Sequence, residues 1–227
     1  MYNFIMKDDE IYDVAIIGAG ASGLMAASRL AEKKIKTVLI EKNSKTGRKL
    51  LSTGAGKANL SNTDISPEFY LCDNKKKLSE IFKKTSPEDI LNFLRYKLGV
   101  FTTVKEKGKT YPLSEKSENV SFAFENFLKN SSVSVKLLTL VTSVHYSKNI
   151  FEIKAKTLPH QFEKKGFVEK ELIIKAKNLI LSTGGPSYPK IGGTYSGFDI
   201  AKSLGHSINE IKPLITPLGV DLPNLSP

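Results

Sequence analysis

Gly18-Ala19-Gly20-Ala21-Ser22-Gly23 places three glycines at GxGxxG spacing, and each suits one step in holding a pyrophosphate. Gly18 permits a tight turn out of a strand. Gly20 lets backbone approach the phosphates closely. Gly23 lets a helix pack tightly on the strand. Glu41 lies 18 residues past Gly23. A carboxylate there can accept from both hydroxyls of a ribose, and it disfavours a 2′-phosphate, which argues against NADP in this half-site. This constellation points to dinucleotide recognition.

The elements needed to position these residues are legible around them. Ile11 to Ile17 reads IYDVAII, a short apolar run with the pattern of a strand buried on both faces. Leu24 to Ala31 is rich in helix formers and apolar along one side. A helix starting at the glycines presents free N–H groups and a partial positive charge to a phosphate. A second apolar run, Ile35 to Ile40, ends in Glu41. Strand, glycine turn, helix, strand and acid agree with one another, which disfavours a glycine turn without a ligand.

Lys42 to Asn62, KNSKTGRKLLSTGAGKANLSN, distinguishes among dinucleotides. It carries Gly47, Gly54 and Gly56, the bases Arg48, Lys49 and Lys57, and several hydroxyls and amides. An NAD domain usually passes from its second strand into an ordinary crossover. A second glycine-rich, basic loop suggests more ligand to cover, such as the rest of FAD. The competing reading is a flexible surface loop.

Composition narrows the function classes. At 227 residues the chain is one large domain or two small ones, with enough length to bury a core. The single cysteine, Cys72, excludes a disulfide framework, a multi-cysteine zinc site and a dithiol redox pair within one chain. Of the bases behind the net charge of +11, only Arg29, Arg48 and Arg95 are arginine. Specific nucleic-acid readers lean on arginine for bidentate contacts, so a solvated basic surface is expected rather than a dedicated nucleic-acid role. No apolar run approaches a membrane span, and acids stand where an export signal would carry bases, so a cytoplasmic location is expected.

The middle of the chain is scaffold. Residues 75 to 99 show helical spacing, with Ser86-Pro87-Glu88-Asp89 as a helix start. Val100 to Leu113 alternates around Lys107-Gly108 as a hairpin, Ser117 to Lys129 forms a helix, and 133 to 181 forms successive strands broken near Lys164-Lys165-Gly166. His145, His160 and His206 pair with no metal-ligand partner by spacing, and no metal site is expected. Tyr188 could stack on or donate to a cofactor, or pack on its own turn.

The sequence VAIIGAGASGLMAASRLAEKKIKTVLIEKNSKTGRKLLSTGAGKANLSN resembles the bacterial aminoacetone-oxidase-like, or BaiN-like, NAD(P)/FAD-dependent oxidoreductases. They form part of the superfamily with two dinucleotide-binding domains. The family pattern is GxGxxGLMAA, an EK pair, then GRKLLxSGGGRCNxTN. The likeness resumes at Leu179 to Pro189 and continues through Gly192-Gly193-Thr194, Gly197, Ala201 to His206 and Lys212-Pro213-Leu214.

The resemblance implies a doubly wound FAD-binding α/β fold with a parallel sheet and an attached antiparallel β layer. It implies flavin-mediated electron or hydride transfer to an unknown small-molecule substrate, with NAD(P)H as a candidate donor. Gly18, Gly20, Ala21, Ser22 and Gly23 would line the pyrophosphate. Glu41 would hold the adenosine ribose, with Lys42 beside it. Gly47, Arg48, Lys49, Ser52, Gly54, Gly56 and Asn59 would follow the ribityl and flavin. Val141 would offer main-chain contacts to adenine. Thr183, Gly184 and Gly185 would turn beneath the cofactor. No catalytic residue is assigned.

Two departures stand out. The family's GGGRCN is here Gly54-Ala55-Gly56-Lys57-Ala58-Asn59. Ala55 adds a methyl where glycine can take positive φ, and Lys57 loses the planar fork of arginine. The second is length. The resemblance implies a FAD-binding domain over 1–212, lacking its closing segment, and the start of an inserted substrate domain at 213–227. The expectation is a truncated or split member needing a second polypeptide. The alternative function is a remnant without independent catalysis that binds only the ADP part of a dinucleotide.

Overall fold

The computed structural model describes residues 10–160, 162 and 165–211. The Lys212-Pro213-Leu214 segment, the division at 213–227 and Lys164 of the polar loop lie outside the described residues.

Four neighbouring strands of the larger sheet run parallel. They are β1 (Ile11–Ile17), β2 (Thr37–Ile40), β6 (Val133–Lys136) and β9 (Glu171–Leu181), and the full order is β6-β2-β1-β9-β8-β7. β7 (Thr139–Ser147) and β8 (Ile150–Thr157) extend it as an antiparallel meander on β9. The expected doubly wound parallel sheet is thus a Rossmann-like sheet, mixed and mostly parallel. A smaller antiparallel sheet holds β3 (Ser61–Asn62), β4 (Thr102–Val104) and β5 (Lys109–Pro112) in the order β3-β5-β4. Its β4–β5 pair is the hairpin expected around Lys107-Gly108.

The period-2 geometry of β1 sends alternate residues into two cores. Val14 and Ile16 join α1 (Ala21–Glu32), α3 (Pro87–Leu98) and α4 (Ser117–Lys129) through Leu24, Phe93, Leu94, Val120 and Phe124. Tyr12, Ala15 and Ile17 join Val38 and Ile40 of β2, the meander residues Val141, Ile153 and Ile174, and Ile200 of α5 (Ser196–Ser203). The first turn of β1–α1 therefore sits at the junction of both cores.

The helical stretch near 75–99 divides into α2 (Lys75–Lys84) and α3. Ser86 caps α3 reciprocally. Its Oγ accepts from Asp89 N at 3.1 Å, and Ser86 N donates to the Asp89 carboxylate at 2.7 Å. Gly99 closes α3 in the left-handed conformation. No helix among the described residues is long and apolar enough to cross a membrane.

Candidate functional site

The turn leaving β1 is held from several sides. Gly18 N donates to Ile40 O at 2.8 Å, and Gly18 takes φ +101°. A Cβ there would lie 2.5 Å from Ser182 O, where the end of β9 crosses. A Cβ on Gly23 would run into the carbonyl oxygen of Gly18, so only hydrogen lets α1 start this close to the strand. Ser182 locks the crossing by donating its Oγ to Gly18 O at 2.7 Å.

Gly20 behaves differently. It is the N-cap of α1, and a Cβ there would meet nothing within 4 Å. No side chain caps the first turn of α1, and no acid stands in it. The helix therefore offers its positive pole and first-turn N–H groups to the space beyond Gly20, the geometry an anionic pyrophosphate requires.

Glu41 is buried at the end of β2, with 8% exposure. Ala19 N donates to its Oε2 at 2.8 Å, while Asn43 N and Nδ2 donate to its Oε1 at 2.9 and 2.6 Å. Three of roughly four lone-pair sites are thus occupied by the protein. Room remains for one further hydrogen-bond donor, and Asn43 must yield before a second can bind. Arg48 Nη1 donates to Asn43 Oδ1 at 2.9 Å, so a relay from Arg48 through Asn43 to Glu41 fixes the carboxylate.

The glycine-rich loop after β2 forms a 3-10 stretch at Leu50–Gly56, kinked at Thr53, Gly54 and Ala55. Ala55 takes φ +55° and ψ +43°, the left-handed region that glycine occupies without cost. Ala58, at the position of the family's cysteine, also takes positive φ and is fully buried. Lys49 Nζ donates to Gly185 O at 2.8 Å, tying this loop to the turn after β9.

One cleft of about 400 Å³ runs through these parts. Gly18, Gly20, Ala21 and Ser22 form its middle, with Thr183 and Gly184 alongside. Glu41, Lys42 and Val141 line one end, while Arg48, Lys49 and Asn59 also reach its wall. Its other arm is apolar, with Leu60, Ile90, Leu94, Val120 and Phe124 on the wall. Lys42, Arg48 and Lys49 against Glu41 leave the lining net positive. Gly23, Gly47, Ser52, Gly54, Gly56 and Gly185 stand outside the lining. Gly47 N donates to Ala19 O at 2.7 Å. Tyr188 is 75% exposed and takes φ +55°, and it does not line the cleft.

Sequence reasoning missed Asn43, Thr139, Ser182, Ile200 and the apolar arm, all of which line the cleft. Asn43 carried a weak local signal, an amide two residues past the strand-end acid. The others arrive through pairings between distant segments.

Comparison with known proteins accounts for this arrangement. The chain is 27% identical over 209 residues to the 3-dehydro-bile acid delta(4,6)-reductase of Clostridium scindens, covering 91% of this chain and 47% of that protein. It is 24% identical over 216 residues to the ribosomal RNA dihydrouridine synthase of Escherichia coli, covering 95% and 50% respectively. It thus spans about half the length of these curated relatives. The fold is similar to that of a 3-ketosteroid-delta4-(5alpha)-dehydrogenase from Rhodococcus jostii, with a TM-score of 0.54 at 16% identity, covering 82% of this chain and 48% of that one. The model of the HI0933-like protein Rossmann domain matches residues 12–227, and the chain belongs to that FAD-binding Rossmann family.

Proposed function

We propose that this chain binds FAD in the cleft and serves in the reduction of an activated carbon–carbon double bond, with NAD(P)H as electron donor, in the cytoplasm. The observation that carries the reading is the continuity of one cleft from Val141 and Glu41, past the open side of Gly20, to Asn59 and an apolar arm. These surroundings suit the adenosine, pyrophosphate, ribityl and ring parts of FAD.

Each residue then has a task. The N–H groups of Ala21 and Ser22 and the pole of α1 hold the pyrophosphate, while Gly18 and Gly23 let strand and helix meet around it. Glu41 accepts from the ribose beside Lys42, and the backbone of Val141 faces adenine. Arg48 and Lys49 add positive charge over the phosphates and ribityl. Gly47, Ser52, Gly54 and Gly56 shape the loop that brings Asn59 to the ring, and Thr183, Gly184 and Gly185 turn beneath it. The apolar arm excludes water, which strengthens nearby electrostatic contacts. Flavin supplies two-electron hydride chemistry when bound.

The names of the two curated relatives support the reaction class. One is a reductase of a bile-acid double bond system, and the other makes dihydrouridine, which differs from uridine by two hydrogens across a ring bond.

The test is an absorbance spectrum of the purified chain, then of the chain mixed with FAD and separated from excess. Bands near ~370 and ~450 nm, the mark of oxidised flavin, are expected at one per chain. Anaerobic NADH or NADPH should bleach them, and a conjugated enone or uridine-containing RNA should restore them. A folded, colourless chain contradicts the proposal.

A further inference from the structure

A second depression, of about 420 Å³, meets the Gly54–Asn59 turn at Lys57, as the cleft does at Asn59. Lys57, Lys105, Lys107 and Lys109 line it with Tyr111. The turn is a shared wall. Asn59 and Leu60 face the cleft, whereas Lys57, two residues earlier, faces the depression. A Cβ on Gly54 would lie 2.9 Å from the Tyr111 ring and 3.0 Å from Asn59 N, so the ring sits directly against this wall.

The acids of the lining offset this cluster only in part, two against four lysines. Glu106 and Glu115 also line the depression. Glu115 bridges two segments, 2.6 Å from Lys105 Nζ and 3.0 Å from Lys57 Nζ. Hydrogen bonds from Lys105 and then Lys57 hold its carboxyl down to about 2, so it stays ionised and engaged. Among the described residues, Lys107 and Lys109 join no ion pair. Lys107 is set by its backbone, at φ +58°, with its carbonyl accepting from Asn62 Nδ2 at 2.9 Å. Two lysines are therefore pinned by Glu115, and two more line the same hollow outside any ion pair, with Glu106 beside them and Asp64 Oδ2 3.2 Å from where a Cβ on Gly108 would lie. Their mutual repulsion is relieved by an anion between them. On the FAD reading the pyrophosphate would not supply it, because Gly18, Gly20, Ala21 and Ser22 line the cleft and not the depression.

We propose that this depression is a subsite for a substrate oxyanion, a phosphodiester or carboxylate, which anchors the substrate beside the reacting end of the cleft. The proposal rests on the FAD reading only in naming that end as the reacting one. Lysine suits the task, since a flexible point charge can follow an oxyanion without demanding bidentate geometry.

The experiment measures binding of two probes to the full chain with FAD present, a short labelled single-stranded RNA and a steroid monocarboxylate. The variant Lys107→Glu/Lys109→Glu is compared with Lys154→Glu/Lys165→Glu, an equal charge change elsewhere on the surface. FAD affinity is titrated separately in all three proteins, so failure of the FAD reading shows in that titration alone. The expected result is a loss of at least about tenfold for one probe in the first variant, against less than about twofold in the second. FAD affinity should stay unchanged. If the RNA is the probe that responds, its log–log salt slope should fall by about 1.4, because two phosphate contacts are lost. The probe that responds identifies the source of the oxyanion. Equal losses in both variants, no loss in either, or no binding of either probe to the unaltered chain would overturn the proposal.

Discussion

The two ends of the cleft are built by different means. At the Glu41 end, position is set by backbone. Strands β1, β2 and β9 are hydrogen-bonded in register, Gly18 and Gly23 permit contacts closer than any side chain allows, and a buried carboxylate is bound by three protein donors. At the Asn59 end, position is set by a kinked 3-10 stretch, two alanines at positive φ and exposed lysines bridged by one acid. On the proposed reading the first end would meet the same chemical group in every dinucleotide, so rigidity would cost it nothing in range. The second would face the variable partner, and its ion pairs are exposed ones that contribute little to stability.

That contrast can be broken most severely at Gly23. Gly23→Ala puts a methyl into the Gly18 carbonyl, with no flexible neighbour to move aside. A loss of about 3 kcal/mol is expected from overpacking at backbone. Urea denaturation should show a lower midpoint, and FAD retention should fail. An unchanged midpoint would mean that the strand–helix junction is softer than described.

Glu41→Ala should come next. It leaves the buried Ala19 N–H without its acceptor and would remove the proposed ribose contact. About 2–3 kcal/mol of stability should be lost, as is usual for a buried hydrogen bond to a charged group. Adenosine-containing ligands should weaken while FMN affinity stays constant.

The other end should respond in the opposite direction. Ala55→Gly relieves the left-handed strain of an L residue and should raise stability by about 0.5–1 kcal/mol, read as a higher denaturation midpoint. A fall would show that the loop's conformation at Ala55 is not the one described.

The smallest effect concerns Glu115. Its carboxyl is lowered from 4.5 to about 2, so its ion pairs contribute fully above pH 4.5 and are lost as pH falls through about 2. The difference in thermal midpoint between the natural chain and Glu115→Gln should be small, screened by salt, and absent at the acid end of that window.

The sequence made one end far more legible than the other. The strand, glycine turn, helix and second strand depend on local periodicity and on glycine, both visible along the chain. The Ser86 cap and the bounds of α4 are equally local. The strained φ at Ala55 was foreseeable from one methyl in a glycine-rich turn. Asn43 was missed because its role depends on where the Glu41 and Arg48 side chains turn. Thr139, Ser182 and Ile200 reach the cleft only through the β9 and β7 pairings, which couple residues far apart in sequence. The lysine depression depends on Glu115 meeting Lys57 and Lys105 from separate segments, and no spacing rule announces that.

The most direct measurement is equilibrium binding of FAD to the purified chain, with ADP and FMN as competitors. The account predicts one FAD per chain, displaced by ADP at lower concentration than by FMN, because the Glu41 end is the rigid, prebuilt one. Displacement by FMN at lower concentration than by ADP, or no binding of FAD at all, would contradict it.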